Sequence, residues 1–147
     1  VLDFLGRGGF AHVYLAEHSF EKKLVAVKVY SKEDKKASRS RTESLRRESD
    51  LFRMLKHPQV LSFHEFKETS SHIFIVLEYC NGGDIWTYLD RRRKLYPDSP
   101  LEGRQISTIM RLLLQALSHL HANKMIHRDI KPGKSLFSPF RKHTRPN

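Results

Sequence analysis

The chain has 147 residues, 39% hydrophobic and 29% charged, which suits one ordinary domain with a core and argues against disorder of the whole chain. Its one cysteine, Cys80, excludes an internal disulfide and fits a cytosolic or nuclear compartment. The net charge of +11 admits an anionic partner, with a solvated basic surface the simpler account, and no apolar run reaches the roughly 18 residues of a membrane span, so no membrane partner is expected.

Residues 1–5 open directly on a strand-like run, as if cut at the N-terminus, and residues 13–16 resume an extended pattern. Between them Gly6-Arg7-Gly8-Gly9-Phe10 punctuates the chain, predicting a hairpin rather than the strand-to-helix turn of a dinucleotide site. Residues 24–30 predict a third, β-branched strand that carries Lys28. Residues 31–41 read as a polar, basic connection. From Glu43 a helical period sets in, with Leu45, Leu51, Phe52 and Leu55 on one face and Glu48 beside it; His57-Pro58 stops it. Residues 60–66 and 73–77 predict two more strands, and Gly82-Gly83 marks a hinge. A short helix follows over 85–89, then a charged loop from Arg91 through Pro100. Ile106, Ile109, Met110, Leu113, Leu114, Leu117 and Leu120 predict an amphipathic helix whose wide stripe needs packing on more than one side. After it, residues 125–137 (MIHRDIKPGKSLF) gather His127, Arg128, Asp129 and Lys131 in a loop that presents charge to a reacting group.

With these motifs in this order, residues 1 to about 137 resemble the catalytic domain of eukaryotic serine/threonine protein kinases. The helix before Pro58 and the opening VLDFLGRGGF are similar to the calcium/calmodulin-dependent group and to the kinase-like domain of guanylate-kinase scaffolds; Phe10-Ala11 is also similar to polo-like kinases. The resemblance implies an α+β fold: a kinase N-lobe over 1–80, with a five-stranded antiparallel sheet plus one helix. The hinge and the start of a truncated, mostly helical C-lobe would occupy 81–137, and 138–147 would be a tail foreign to the family.

It also implies ATP as cofactor and a protein substrate or scaffold partner. Leu5, Gly6, Gly8 and Phe10 fall in the nucleotide flap, where glycine lets backbone N–H groups approach phosphate; Ala11 stands at the family's third glycine. Lys28 would grip the α- and β-phosphates, fixed by Glu48. Val13 and Ala26 would cover the adenine and Leu136 support it, with Leu77 as gatekeeper and the backbones of Glu78 and Cys80 at the base edge. Asp84 matches a ribose- or substrate-contacting position. Asp129 would accept the proton of the attacking hydroxyl, and Lys131 would offset charge on the transferred phosphoryl group, the serine/threonine pattern. His127 would be a stacking spine residue with Phe52 and Phe63, and Arg128 a phosphate or carboxylate ligand.

Two departures concern magnesium, which the family uses. Lys134 stands where its metal-binding asparagine falls, and an ammonium group only donates. Residues 138–147 contain no aspartate, so the Asp-Phe-Gly motif is missing and no metal ligand is assigned. The expected function is an ATP-binding kinase domain whose parent reaction is γ-phosphoryl transfer to protein Ser or Thr, itself inactive. The alternative is a pseudokinase or scaffold module that binds nucleotide or a protein. A basic, nucleic-acid-binding domain rests on charge alone and lacks basic and aromatic interleaving.

Overall fold

A computed structural model of the chain describes residues 1–33, 39–99 and 101–135. They form two compact units: Val1–Lys56 with Leu61–Tyr79, and His57–Val60 with the residues from Cys80 on.

The first unit is built on an antiparallel sheet of five strands in the order β1-β2-β3-β5-β4. These are β1 (Asp3–Arg7), β2 (His12–Glu17), β3 (Leu24–Ser31), β4 (Phe63–Glu68) and β5 (His72–Glu78). Directly paired residues share a face of a sheet, so the register sorts the side chains. One row reads Val13, Lys28, Ile75, Phe66; the next reads Leu15, Ala26, Leu77, Phe63; a third holds Tyr30, Ile73 and Glu68. This face carries the core cluster. Ile73 and Ile75 join Leu45 in the buried core, with Tyr30, Phe63, Phe66 and Leu77 packed against them.

Leu45 comes from helix α1 (Arg39–Met54), which begins four residues before the point where the helical period predicts it. Its buried face also differs from the expectation. Ser49, one turn beyond Leu45, is buried, whereas Leu51 is 46% exposed. Six residues at 3.6 per turn place Leu51 about 120° round the helix from Leu45, so it points off the core stripe. A polar network fixes α1 to the sheet. The Glu68 carboxylate accepts from Lys32 Nζ at 2.6 Å and from Arg46 Nε at 2.8 Å, and Lys32 also donates to the Thr69 carbonyl at 2.7 Å. These cations, Lys32 first, hold the Glu68 carboxyl below the usual glutamate range.

In the second unit, α2 (Ile85–Leu95) runs on through Arg91, Arg92, Arg93 and Lys94, which the sequence reading places in a loop. The reason is electrostatic. Asp90 pairs with Arg93 at 3.3 Å and with Lys94 at 2.7 Å, and cations near a helix C-terminus complement its dipole. Helix α3 (Gly103–Ala122) starts where the Glu102 N–H donates to Gln105 Oε1 at 3.0 Å. Its Leu120 is buried, while Ile106, Met110 and Leu114 remain about half exposed. The His119 ring stacks on His57 at 4.8 Å, which fastens segment His57–Val60 to α3. Among the described residues no helix is long and apolar enough to cross a membrane.

Candidate functional site

The register of the first unit brings Val13, Ala26, Lys28 and Leu77 onto one face of the sheet, in adjacent rows. Lys28 lies opposite Val13 on one side and Ile75 on the other, so its half-buried stem crosses apolar surface. Its neighbour Tyr30 shows which charges stand nearby. Burial first, then Glu48, raises the Tyr30 hydroxyl pKa, and Arg41 opposes them. Glu48 itself is exposed on α1.

Leu5 and Gly6 lie in β1, at a bulge between Phe4 and Gly6. The glycine-rich turn closes through the Gly8 N–H, which donates to the Ala11 carbonyl at 2.8 Å. Among the described residues, a Cβ at Gly6 or Gly9 would meet no atom within 4 Å, and one at Gly8 would touch only the Ala11 carbonyl, at 3.7 Å. Phe10, at its tip, lies under the Arg41 guanidinium, 3.8 Å from ring centroid to Cζ. At the end of β5, Glu78 is tied to Ser62: its carboxylate accepts from the Ser62 N–H at 3.1 Å and hydroxyl at 3.0 Å. Sequence reasoning missed both Arg41 and Ser62, because neither belongs to a spaced motif; the pairing of β4 with β5 reveals the second.

In the second unit, Cys80 is half-buried. Asp84 caps α2, its carboxylate accepting from the Thr87 N–H at 2.8 Å and hydroxyl at 3.1 Å. Gly83, at φ +72°, turns the chain into that cap. Asp84 thus has a structural task beside the contact the resemblance implies.

The loop after α3 brings Asp129, Lys131 and Lys134 together. Pro132 opens a single 3-10 turn, Pro132–Lys134, with its fixed φ. The turn is closed by the Lys134 N–H on the Lys131 carbonyl at 2.9 Å and pinned where the Ile85 N–H donates to the Ser135 carbonyl, also at 2.9 Å. It swings Lys134 back, so that Nζ donates directly to Asp129 Oδ2. Lys131 Nζ lies 3.4 Å from Oδ1. These cations, Lys134 first, hold the Asp129 carboxyl below its usual range. Arg128 adopts φ +64°, a left-handed conformation that costs a residue with a side chain on the order of 1–3 kcal/mol. The exposed His127 accepts from the Asp129 N–H at 3.3 Å through Nδ1. Leu136 and the tail 138–147 lie outside the described residues.

The family model of the protein kinase domain matches residues 1–143, and the chain belongs to that family. It is 37% identical over 148 residues to the serine/threonine-protein kinase ULK1 of Homo sapiens, covering 99% of this chain and 13% of the relative. It is 33% identical over 150 residues to the serine/threonine-protein kinase ATG1 of Beauveria bassiana, covering 92% and 16%. The carbon catabolite-derepressing protein kinase of Secale cereale is 35% identical over 135 residues, covering 90% and 26%. The chain therefore spans between about an eighth and a quarter of the length of these relatives. The five-stranded antiparallel sheet with α1 is the N-lobe of a kinase fold, and α2, α3 and the Asp129 loop belong to its helical lobe.

Kinases of this family generally use magnesium with ATP, and the loop residues do not fit that ion. Lys134 offers only N–H donors, and its ammonium already sits on the nearest carboxylate. Among the described residues no group of three or more His, Cys, Asp or Glu side chains is placed to hold a metal.

Proposed function

We propose that the chain binds ATP through the sheet of its first unit and does not transfer the γ-phosphoryl group. The binding half is supported by the shared face of Val13, Ala26, Lys28 and Leu77. Apolar side chains beside one cation suit a flat base joined to phosphates. The uncrowded glycine turn leaves room for phosphate oxygens to approach backbone N–H groups.

The observation that carries the second half is the hold of Lys134 on Asp129, which adds a second cation to the Lys131 that the serine/threonine pattern already brings. A carboxylate that accepts a substrate proton works through its basicity. Two ammonium groups stabilise its ionised form, lower its pKa and so weaken it as a base. The same positive charge repels a divalent cation from the position that would otherwise neutralise the phosphates. Asp129 is then a structural anion that holds its own loop, and the parent reaction of serine/threonine kinases is withheld.

Titration of the full chain with a fluorescent ATP analogue tests the binding half. Charge-assisted hydrogen bonds are worth about 1.5–3 kcal/mol, so Lys28→Met should weaken affinity roughly tenfold to a hundredfold. Equal affinity in the two proteins would remove Lys28 from the site, and no saturable binding to the wild-type chain would reject the reading.

A further inference from the structure

The tip of the glycine-rich turn is held by the helix. Phe10 is 53% exposed, and the guanidinium of Arg41, in the first turn of α1, lies over its ring. A cation there gains nothing from the helix, whose N-terminal dipole disfavours positive charge, and no acidic residue occupies that turn. The contact that favours Arg41 is the electron-rich face of Phe10 at 3.8 Å. Arg41 also acts, against Glu48, on the Tyr30 hydroxyl. Tyr30 lies two residues from Lys28 on the same face of β3, where the strand runs out beside the glycine turn. A continuous set of neighbours therefore joins the loop tip, the start of α1 and the end of β3 that carries Lys28.

We propose that Arg41 is a positioning residue for the glycine-rich turn: its guanidinium grips Phe10 and holds the loop tip to α1, so that the turn is set for nucleotide before nucleotide arrives. This rests on the ATP-binding reading above. A pre-set loop loses less freedom on binding than a loose one, so releasing the grip weakens nucleotide affinity without removing any group from the nucleotide. The size follows from cation–π contacts at exposed sites, roughly two- to fivefold in affinity. Because one contact is broken by either change, the two changes are not additive.

The test is a double-mutant cycle in the full chain, read by titration and dissociation kinetics of a fluorescent ATP analogue. Arg41→Gln and Phe10→Leu should each weaken binding roughly two- to fivefold through faster dissociation, the double variant should match the weaker single variant, and Arg41→Lys, which keeps a cation for the ring, should lose less than Arg41→Gln. Unchanged affinity, losses that simply multiply, or tighter binding by Arg41→Gln would overturn the proposal; the last would mean the contact obstructs the site. Lys28→Met separates the two readings. If it abolishes binding while Arg41→Gln leaves affinity unchanged, only the role of Arg41 falls; if the wild-type chain shows no saturable binding, both fall.

Discussion

The sheet of the first unit and the Asp129 loop of the second handle charge in opposite ways. In the sheet, Lys28 stands in a row of apolar side chains whose packing the core also needs. In the loop, Lys131 and Lys134 gather on one carboxylate, and all three side chains remain about half exposed. A change in the face that holds Lys28 therefore disturbs the packing of the unit. A change in the loop disturbs little but the loop's chemistry. That difference explains how a chain can keep the architecture of a kinase while one turn, Pro132–Lys134, converts its proposed base into half of an ion pair.

The contrast is sharpest at Leu45, which is buried between α1 and Ile73 and Ile75. Leu45→Ala should destabilise the first unit by about 2–5 kcal/mol in urea unfolding. An effect near zero would break the claim that this face is structural as well as functional. Lys134→Asn should do the reverse: little change in unfolding, but a clear change in Asp129. With its first cation gone, the Asp129 carboxyl should titrate at higher pH, nearer its ordinary range, in a carbon-detected NMR titration. A carboxyl with a lowered folded-state pKa contributes stability that is complete above its unfolded value and is lost as pH falls through the folded one. The smallest effect is expected at Glu68, where the same rule applies to the network with Lys32 and Arg46. Glu68→Gln should remove part of the stability lost below the ordinary glutamate range, visible as a shallower fall of Tm between neutral and acid pH. An unchanged acid profile would show that the network orders α1 without stabilising it.

The elements were legible in the sequence where one periodicity dominates. The strands around Lys28 and Ile75 follow from short β-branched, apolar runs, and the stripe of α3 from the 3.6-residue repeat. Legibility failed where local electrostatics or packing decides. The basic run at Arg91 to Lys94 reads as loop, yet Asp90 and the helix dipole keep it helical. Leu51 reads as core, but its orientation on α1 leaves it half exposed while Ser49 is buried. At the site, the sequence offers candidate positions but not their contacts. The resemblance puts Lys134 at a metal-binding position, where an ammonium group only donates; the turn after Pro132 shows that it reaches Asp129. Arg41 and Phe10, 31 positions apart in the sequence, carry no signal at all until β1, β2 and α1 are assembled.

The central claim is that nucleotide binding and phosphoryl transfer are uncoupled in this chain. Incubation of the purified full chain with γ-labelled ATP, magnesium and a generic Ser/Thr protein substrate, beside an ATP titration of the same preparation, measures both at once. The account predicts saturable ATP binding that Lys28→Met weakens, with no label transferred. Robust transfer that Asp129→Asn abolishes would contradict it.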